Sequence, residues 1–294
     1  MNINWWYNPE SFQEWTLRTK DQVNIFVREI GIGETVVVLH GGWGAEHSYM
    51  LDPLLPFQNQ VHFVFYDQRG SLRSPCPASK ITLHRHVEDL EQLRKELKID
   101  RLSLLCHSMG SYLGMQYAKQ YPEKVKKLIL LSPVPFYGTV RDLTDKLEPV
   151  ALERWKREEV IRQLAQNNIK GDDLSMLSSK ERSVWHQITF SAINLHSVLH
   201  WKKMRGCFYY QGKAGNAAGS SMPKSWDFSD LSEQIGLDIQ VILGDDDYIP
   251  HNQTKKSYEF LPADHLHVLH DAGHVCWIDK PNEFVEIISH LLVI

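Results

Sequence analysis

The sequence predicts an α/β fold, a mostly parallel central sheet with flanking helices, into which a helical cap is inserted. Three observations carry this expectation. Short β-rich apolar runs alternate with longer stretches of helical spacing, the signature of parallel strands joined by crossover helices. The alternation stops near Phe136 and resumes after Trp226. The residues best suited to chemistry follow strands on both sides of that break, so neither half is complete alone.

The elements follow in order. Thr35 to Leu39 is an apolar, β-branched run that suits a buried strand, and His40-Gly41-Gly42-Trp43-Gly44 comes directly after it. His62 to Tyr66 is a second strand, ending in Asp67-Gln68-Arg69-Gly70. Leu83, Val87, Leu90, Leu93 and Leu97 keep helical spacing. Leu102 to Leu105 is a strand, Ser111 to Tyr121 a helix closed by Pro122, and Val125 to Leu131 a strand stopped by Pro133 and Pro135. From Phe136 to Trp226 no segment reads as a strand. Leu143 to Asn167 and Lys180 to Lys202 are amphipathic or charged helical stretches, and Gln211 to Ser225 reads as a Gly/Ala/Ser-rich loop. Strands return at Ile239–Leu243 and Leu266–Leu269, and Asn282 to Leu292 forms a closing helix. The expected organisation is a core of residues 1–135 and 227–294, with a cap of residues 136–226.

Composition narrows the classes. Of 294 residues, 43% are hydrophobic, and 32 Lys+Arg against 36 Asp+Glu leave a net charge of −4. Disorder needs the opposite balance. No broad basic surface is expected, so neither nucleic acid nor a membrane is an expected partner. Cys76, Cys106, Cys207 and Cys276 are widely separated, without the paired spacing of a zinc or redox motif. Sparse cysteines suit a reducing compartment. The first ten residues, with Trp5, Trp6 and Tyr7, lack the layout of a signal peptide. A cytoplasmic location is therefore expected.

The strongest local signal is Leu104-Leu105-Cys106-His107-Ser108-Met109-Gly110-Ser111, a strand running into a helix. A serine at such a junction sits on a sharp turn with its hydroxyl exposed at the strand's carboxyl end. The turn needs small residues on either side, which Gly110 and Cys106 supply. By itself a serine there is more often a helix N-cap. As a nucleophile it needs a base, and the base an orienting acid, in the chain order Ser, acid, His. Gly244-Asp245-Asp246-Asp247 follows one later strand and Asp271-Ala272-Gly273-His274 the other. Asp247, the third residue after Gly244, is the expected acid, with Asp245 and Asp246 left to loop solvation. His274 is the expected base. The other histidine groups, His84/His86, His196/His200 and His265/His267/His270, lack metal-ligand spacing and are read as structural.

Acyl chemistry also needs donors for a developing oxyanion. Backbone N–H groups of Gly42 and Met109 are assigned to it, with His40, Gly41, Trp43 and Gly44 as the supporting loop. The same glycine loop lacks the third glycine of a dinucleotide fingerprint, and no phosphate-binding Gly-Lys-Ser/Thr is present. No cofactor and no metal are implied.

With these residues in place, the chain resembles the α/β-hydrolase superfamily, and within it the proline iminopeptidase group. The matching segments are His40–Gly44, Tyr66-Asp67-Gln68-Arg69-Gly70-Ser71-Leu72-Arg73-Ser74, the Ser108 turn, Gly244–Asp247 and Gly273-His274. The resemblance spans nearly everything outside the cap. It implies that Asp67 and Arg69 brace the loop beside the oxyanion site. Trp43 stands where the group usually has proline, and Cys106 where it has glycine. The group binds a substrate ammonium with cap carboxylates, one usually just after a cap tryptophan. Here His186 follows Trp185, leaving Glu148, Glu153, Glu158, Glu159, Asp172, Asp173 and Glu181 as substitutes. The implied activity is aminopeptidase action on a short peptide, with carboxylesterase on small esters as the alternative. A non-catalytic ligand-binding protein of the same fold is the third reading.

Overall fold

A computed structural model of the protein describes residues 12–169, 174–204, 210–249 and 258–292. Met1 to Glu10, Asp172, Asp173, Cys207 and Pro250 lie outside these residues, as does the side chain of Glu148.

The strands of the main sheet are β1 (Phe12–Arg18), β2 (Asn24–Ile30), β3 (Glu34–Leu39), β4 (Val61–Tyr66), β5 (Leu102–His107), β6 (Val125–Leu131), β9 (Asp238–Gly244) and β10 (Leu266–Leu269). They lie in the order β1-β2-β4-β3-β5-β6-β9-β10. All pairs from β4 to β10 are parallel, while β1 and β2 add an antiparallel edge. The parallel strands are mostly apolar because both faces are covered, with charges such as Glu34, Lys126, Lys127 and Asp238 kept near their starts. Val37, Leu39, Leu104, Cys106, Leu128 and Leu130 enter one core. Val36, Val38, Leu105, Ile129 and Leu131 enter the other. Burying each such side chain fully contributes about 1.5–3 kcal/mol.

The helices are α1 (Leu51–Leu54), α2 (Leu83–Glu96), α3 (Met109–Gln120), α4 (Val140–Trp155), α5 (Glu158–Gln166), α6 (Ser179–Asn194), α7 (Gly212–Ser220), α8 (Cys276–Asp279) and α9 (Pro281–Leu292). Thr82 caps α2 through the Arg85 N–H. Thr139 and Ser178 form reciprocal capping boxes at α4 and α6 with Asp142 and Glu181.

Three sequence expectations need correction. The β1–β2 hairpin was not foreseen, because its strands carry charged and half-exposed residues such as Glu14, Arg28 and Glu29. Strands do occur in and at the end of 136–226: β7 (Tyr137–Thr139) pairs antiparallel with β8 (Ser225–Asp227), which straddles the expected boundary. Each is three residues long, too short for a periodic signal. Finally, Gly212–Ser220 is the helix α7 rather than a loop. Its small residues serve packing. A Cβ on Gly215 would lie 2.7 Å from the Trp43 carbonyl oxygen, and one on Gly70 would lie 2.7 Å from Ala214 Cβ. Only small side chains allow α7 to seat on the loops after β3 and β4.

Parallel strands deliver their following loops to one edge. Leu39 pairs with Cys106, His107 with Leu131, Leu131 with Ile242 and Gly244 with Leu269. The loops leading to Gly42, Ser108, Asp247 and His274 therefore emerge side by side.

Candidate active site

Ser108 joins β5 to α3 with φ 53° and ψ −123°, a left-handed φ that costs a non-glycine residue about 1–3 kcal/mol. It occupies the N-cap position, yet its side chain makes no capping bond. Its carbonyl instead accepts the Ser111 N–H (2.9 Å) and Ser111 hydroxyl (2.5 Å), which holds the turn. A Cβ on Gly110 would press into the Leu39 and His40 carbonyl oxygens, so position 110 has room only for glycine. Cys106 is accommodated differently: its Sγ lies 2.7 Å from where a Cβ on Gly114 would stand. Glycine in the first turns of α3 makes space for the thiol.

Asp247 and His274 meet across the edge. His274 Nδ1 lies 2.9 Å from both carboxylate oxygens of Asp247, and both residues are buried. The carboxylate can only accept, so Nδ1 carries the proton and Nε2 is left as the basic nitrogen. The Ile249 N–H donates to Asp247 Oδ1 (2.9 Å) and fixes the carboxylate further. The two loops are laced together, since the Asp245 and Asp246 N–H groups donate to the Leu269 and Ala272 carbonyls.

Tyr248 connects this pair to the serine. Its ring centroid is 4.4 Å from that of His274. Burial and the nearby Asp247 charge push its phenol well above the usual range, and a hydrogen bond with the Ser108 side chain works against them. Sequence reasoning did not single out Tyr248, although it directly follows the predicted acid.

The glycine loop is held from two sides. The Gln68 N–H donates to His40 Nε2 (3.0 Å), so the His40 proton is on Nδ1, which donates to the Gly41 carbonyl (3.0 Å). Burial lowers the His40 pKa and keeps that tautomer neutral. Gly41 admits no side chain: its Cβ would lie 2.8 Å from both His107 Nδ1 and Ser108 Cβ. Gly42 has φ +65°. Met109 is the first residue of α3, so its N–H has no intrahelical partner. Trp43 is buried, donates to Met222 Sδ (3.2 Å), and packs with its ring centroid 5.0 Å from that of His86, the two rings tilted by 33°.

Gly41 also begins a chain of bonds. Its N–H donates to the Tyr49 hydroxyl oxygen (2.6 Å), and that hydroxyl lies 2.6 Å from His107 Nδ1. His107 Nε2 lies 3.2 Å from the His274 carbonyl. A carbonyl only accepts, so Nε2 bears the proton and Nδ1 accepts from Tyr49. Burial and the adjacent His274 hold the His107 pKa well below the ordinary value, consistent with a neutral ring.

Asp67 and Arg69 sit outside this contact set. Asp67 accepts the His47 N–H (3.1 Å) and ring nitrogen (2.6 Å), and the Arg73 N–H (3.0 Å). Burial opposes its charge, but the His47 bond and charge hold its carboxyl well below the usual range. Arg69 forks onto Asp89 (2.7 and 2.6 Å) and reaches Asp21 and the Lys80 carbonyl. Among the described residues, Glu46, His47 and Asp67 bring metal-ligand atoms together. The Arg73 guanidinium already lies 2.8 Å from Glu46 and 3.3 Å from Asp67, and supplies the positive charge there.

Among the remaining histidines, His84 pairs with Glu88, His196 with Asp246, His200 with Asp279 and His270 with Asp245, whereas His86 lies beside the Trp43 ring and His267 Nε2 lies 3.3 Å from Gln240 Oε1. Asp246 is thus more than loop solvation, because Arg154 of α4 also grips it.

A sequence model described as the alpha/beta hydrolase fold matches residues 34–281. The chain belongs to the alpha/beta hydrolase family. It is 25% identical over 296 residues to a proline iminopeptidase of Saccharolobus solfataricus, covering 92% of this chain and 89% of that protein. It is 24% identical over 269 residues (88% and 90%) to a Bacillus subtilis protein named as a 2-succinyl-6-hydroxy-2,4-cyclohexadiene-1-carboxylate synthase. Among solved structures, an esterase from Exiguobacterium antarcticum superposes with a TM-score of 0.66, at 19% identity over 95% of this chain and 99% of the other. As an alpha/beta hydrolase, the chain carries an eight-stranded sheet with the loops after β3, β4, β5, β9 and β10 on one edge. Among the described residues, no helix is long and apolar enough to cross a membrane.

Proposed function

We propose that this alpha/beta hydrolase is a serine hydrolase that cleaves ester or amide bonds through Ser108, His274 and Asp247. The observation that carries the reading is the buried Asp247–His274 pair, with both carboxylate oxygens 2.9 Å from Nδ1, beside a serine in a strained turn. In the first half-reaction, Ser108 Oγ attacks the acyl carbonyl while His274 Nε2 takes its proton. Asp247 holds the imidazole and offsets its developing charge. The Gly42 and Met109 N–H groups receive the oxyanion, and each such donor is worth about 3–4 kcal/mol of barrier. The proton then passes to the leaving amine or alcohol. Water repeats the sequence on the acyl-enzyme.

The proline iminopeptidase among its relatives supports an aminopeptidase acting on a short peptide with N-terminal proline or a small apolar residue. One observation favours a carboxylesterase instead. Among the described residues of 136–226, the only buried charged side chain is Arg154, a cation. Glu153 and Glu158 are exposed, and Glu181 is engaged in capping α6. A substrate ammonium needs a carboxylate once it leaves water.

A fluorophosphonate probe tests the chemistry: the wild type is labelled, and Ser108→Ala and His274→Ala are not. Full labelling of Ser108→Ala removes the assignment. An unreactive wild type favours a non-catalytic ligand-binding role. A panel of aminoacyl arylamides and short aryl esters then separates the substrate classes, since an aminopeptidase loses activity when the N-terminus is blocked.

A further inference from the structure

Both loops that present the acid and the base are fastened to the segment between β7 and β8. Arg154, in the last turn of α4, is 4% exposed. Its Nη1–H donates to the Ile193 carbonyl in the last turn of α6 (2.7 Å). Its Nη2–H donates to the Asp246 carbonyl (2.6 Å) and to Asp246 Oδ1 (2.9 Å). Asp246 is the residue before Asp247. On the other loop, the Asn194 carbonyl accepts the Val275 N–H (3.0 Å), one residue past His274. The Asp279 carboxylate accepts the Gly273 N–H (3.0 Å) together with the His196 N–H (2.8 Å). A buried guanidinium that spends three hydrogen bonds on two carbonyls and one carboxylate is a fixed strut, because each bond removes a way for the loop to move.

We propose that Arg154 is a positioning residue for the acid of the triad: through Asp246 it sets the loop that presents Asp247 to His274. The inference rests on the serine-hydrolase reading above. Loop placement matters because a displacement of about 1 Å in a catalytic group costs up to about a hundredfold in rate. Charge matters as well. The Arg154 cation is close enough to Asp247 to interact with it electrostatically, so removing it changes the field at the Asp247–His274 pair. Among the described residues, the other titratable or charged groups facing the pair and Arg154 are Glu153, Asp246 with its partners Arg157 and His196, then Tyr248, Tyr258, His107 and Cys276.

The experiment uses the full chain, an aryl ester or aminoacyl arylamide that the wild type turns over, and four readouts: kcat, KM, the pH profile of kcat/KM and the melting temperature. Arg154→Met is expected to lower kcat about tenfold or more with KM changed less than about threefold. Loss of the cation also moves the acid limb of the profile to higher pH. Arg154→Lys keeps the charge, so its limb stays in place while kcat recovers in part. Asp246→Asn removes an anion and leaves Arg154 unpaired, so its limb moves to lower pH. Because Asp246 is partly exposed, that variant keeps the inference testable if Arg154→Met does not fold. A merely structural ion pair predicts a lower melting temperature in Arg154→Met and Asp246→Asn with kcat and the acid limb of each unmoved, and that result overturns the inference. A wild type that neither turns over nor labels with fluorophosphonate removes the serine-hydrolase reading first, and this one with it.

Discussion

The Tyr49 hydroxyl stands 2.6 Å from His107 Nδ1, and that bond joins the glycine loop to the loop that bears His274. On one side Tyr49 takes the Gly41 N–H; on the other, His107 donates to the His274 carbonyl. Tyr49→Phe keeps the ring stacked on Trp277 but removes both bonds at the hydroxyl. The Gly41 N–H then loses its acceptor, one residue before the proposed oxyanion donor. The expected result is a fall in kcat of about tenfold, with KM nearly unchanged, since the loop touches the transition state more than the bound substrate. Steady-state kinetics on one ester substrate check it.

Cys106 and Gly114 form a coupled pair. Gly114→Ala forces a methyl against Cys106 Sγ and is expected to destabilise the protein by about 1–3 kcal/mol, the usual cost of overpacking. In a Cys106→Gly background the same methyl meets only ordinary contact with Leu128 Cδ2 (3.7 Å) and is expected to be neutral or stabilising, because alanine favours a helix. Urea unfolding of the four proteins measures the coupling, and additive effects refute it.

Glu91 makes stability depend on acid. Arg94 grips its carboxylate with two bonds of 2.8 Å, Tyr117 adds one of 2.7 Å and Lys95 lies 3.1 Å away. The Arg94 bond, above all, holds its pKa down to about 2. A carboxyl held below its unfolded value stabilises the fold above that value, and the contribution fades as pH falls towards the folded one. Glu91→Gln is therefore expected to lower the urea midpoint at pH 7, with the gap closing between about pH 5 and pH 2. A gap that persists at pH 2 contradicts the account.

Gly215 tests how α7 supports the glycine loop. A Cβ there would fall 2.7 Å from the Trp43 carbonyl and against the Tyr210 hydroxyl. Gly215→Val is expected to push α7 off the loop, cutting kcat and lowering the melting temperature together. Gly219→Val, where a Cβ meets nothing within 4 Å, is expected to leave kcat unchanged.

The parallel strands and the β5–α3 turn were legible because their signals are local. An apolar run followed by a small-residue turn announces itself within eight residues. Asp247, whose carboxylate lies against His274 Nδ1, is set apart from Asp245 and Asp246 in the sequence by being third after Gly244 and closest to Pro250. Other features carry no local mark. The β1–β2 hairpin lacks clean alternation, and α7 contains glycines that ordinarily signal a loop. Tyr49, His107, Tyr248 and Arg154 are ordinary residue types whose parts depend on partners far away in the chain, 92 positions away for Arg154 and Asp246. Contacts of that range exist only once the sheet has gathered its loops.

The pairing of β7 with β8 sets Tyr137 opposite Asp227 and Thr139 opposite Ser225. The chain between them thus leaves and rejoins the sheet through a single stitched seam. Closing such a long excursion at its neck relieves the sheet of any demand on its length, because added residues change the closure entropy only logarithmically. A different segment could be grafted between Thr139 and Gly212, with α7 kept on the glycine loop, without disturbing any strand of the main sheet. Under the strut proposed for Arg154, a graft lacking that guanidinium would fold and yet aim its acid poorly. Exchangeability of shape and retention of activity would then be separate properties of the same seam.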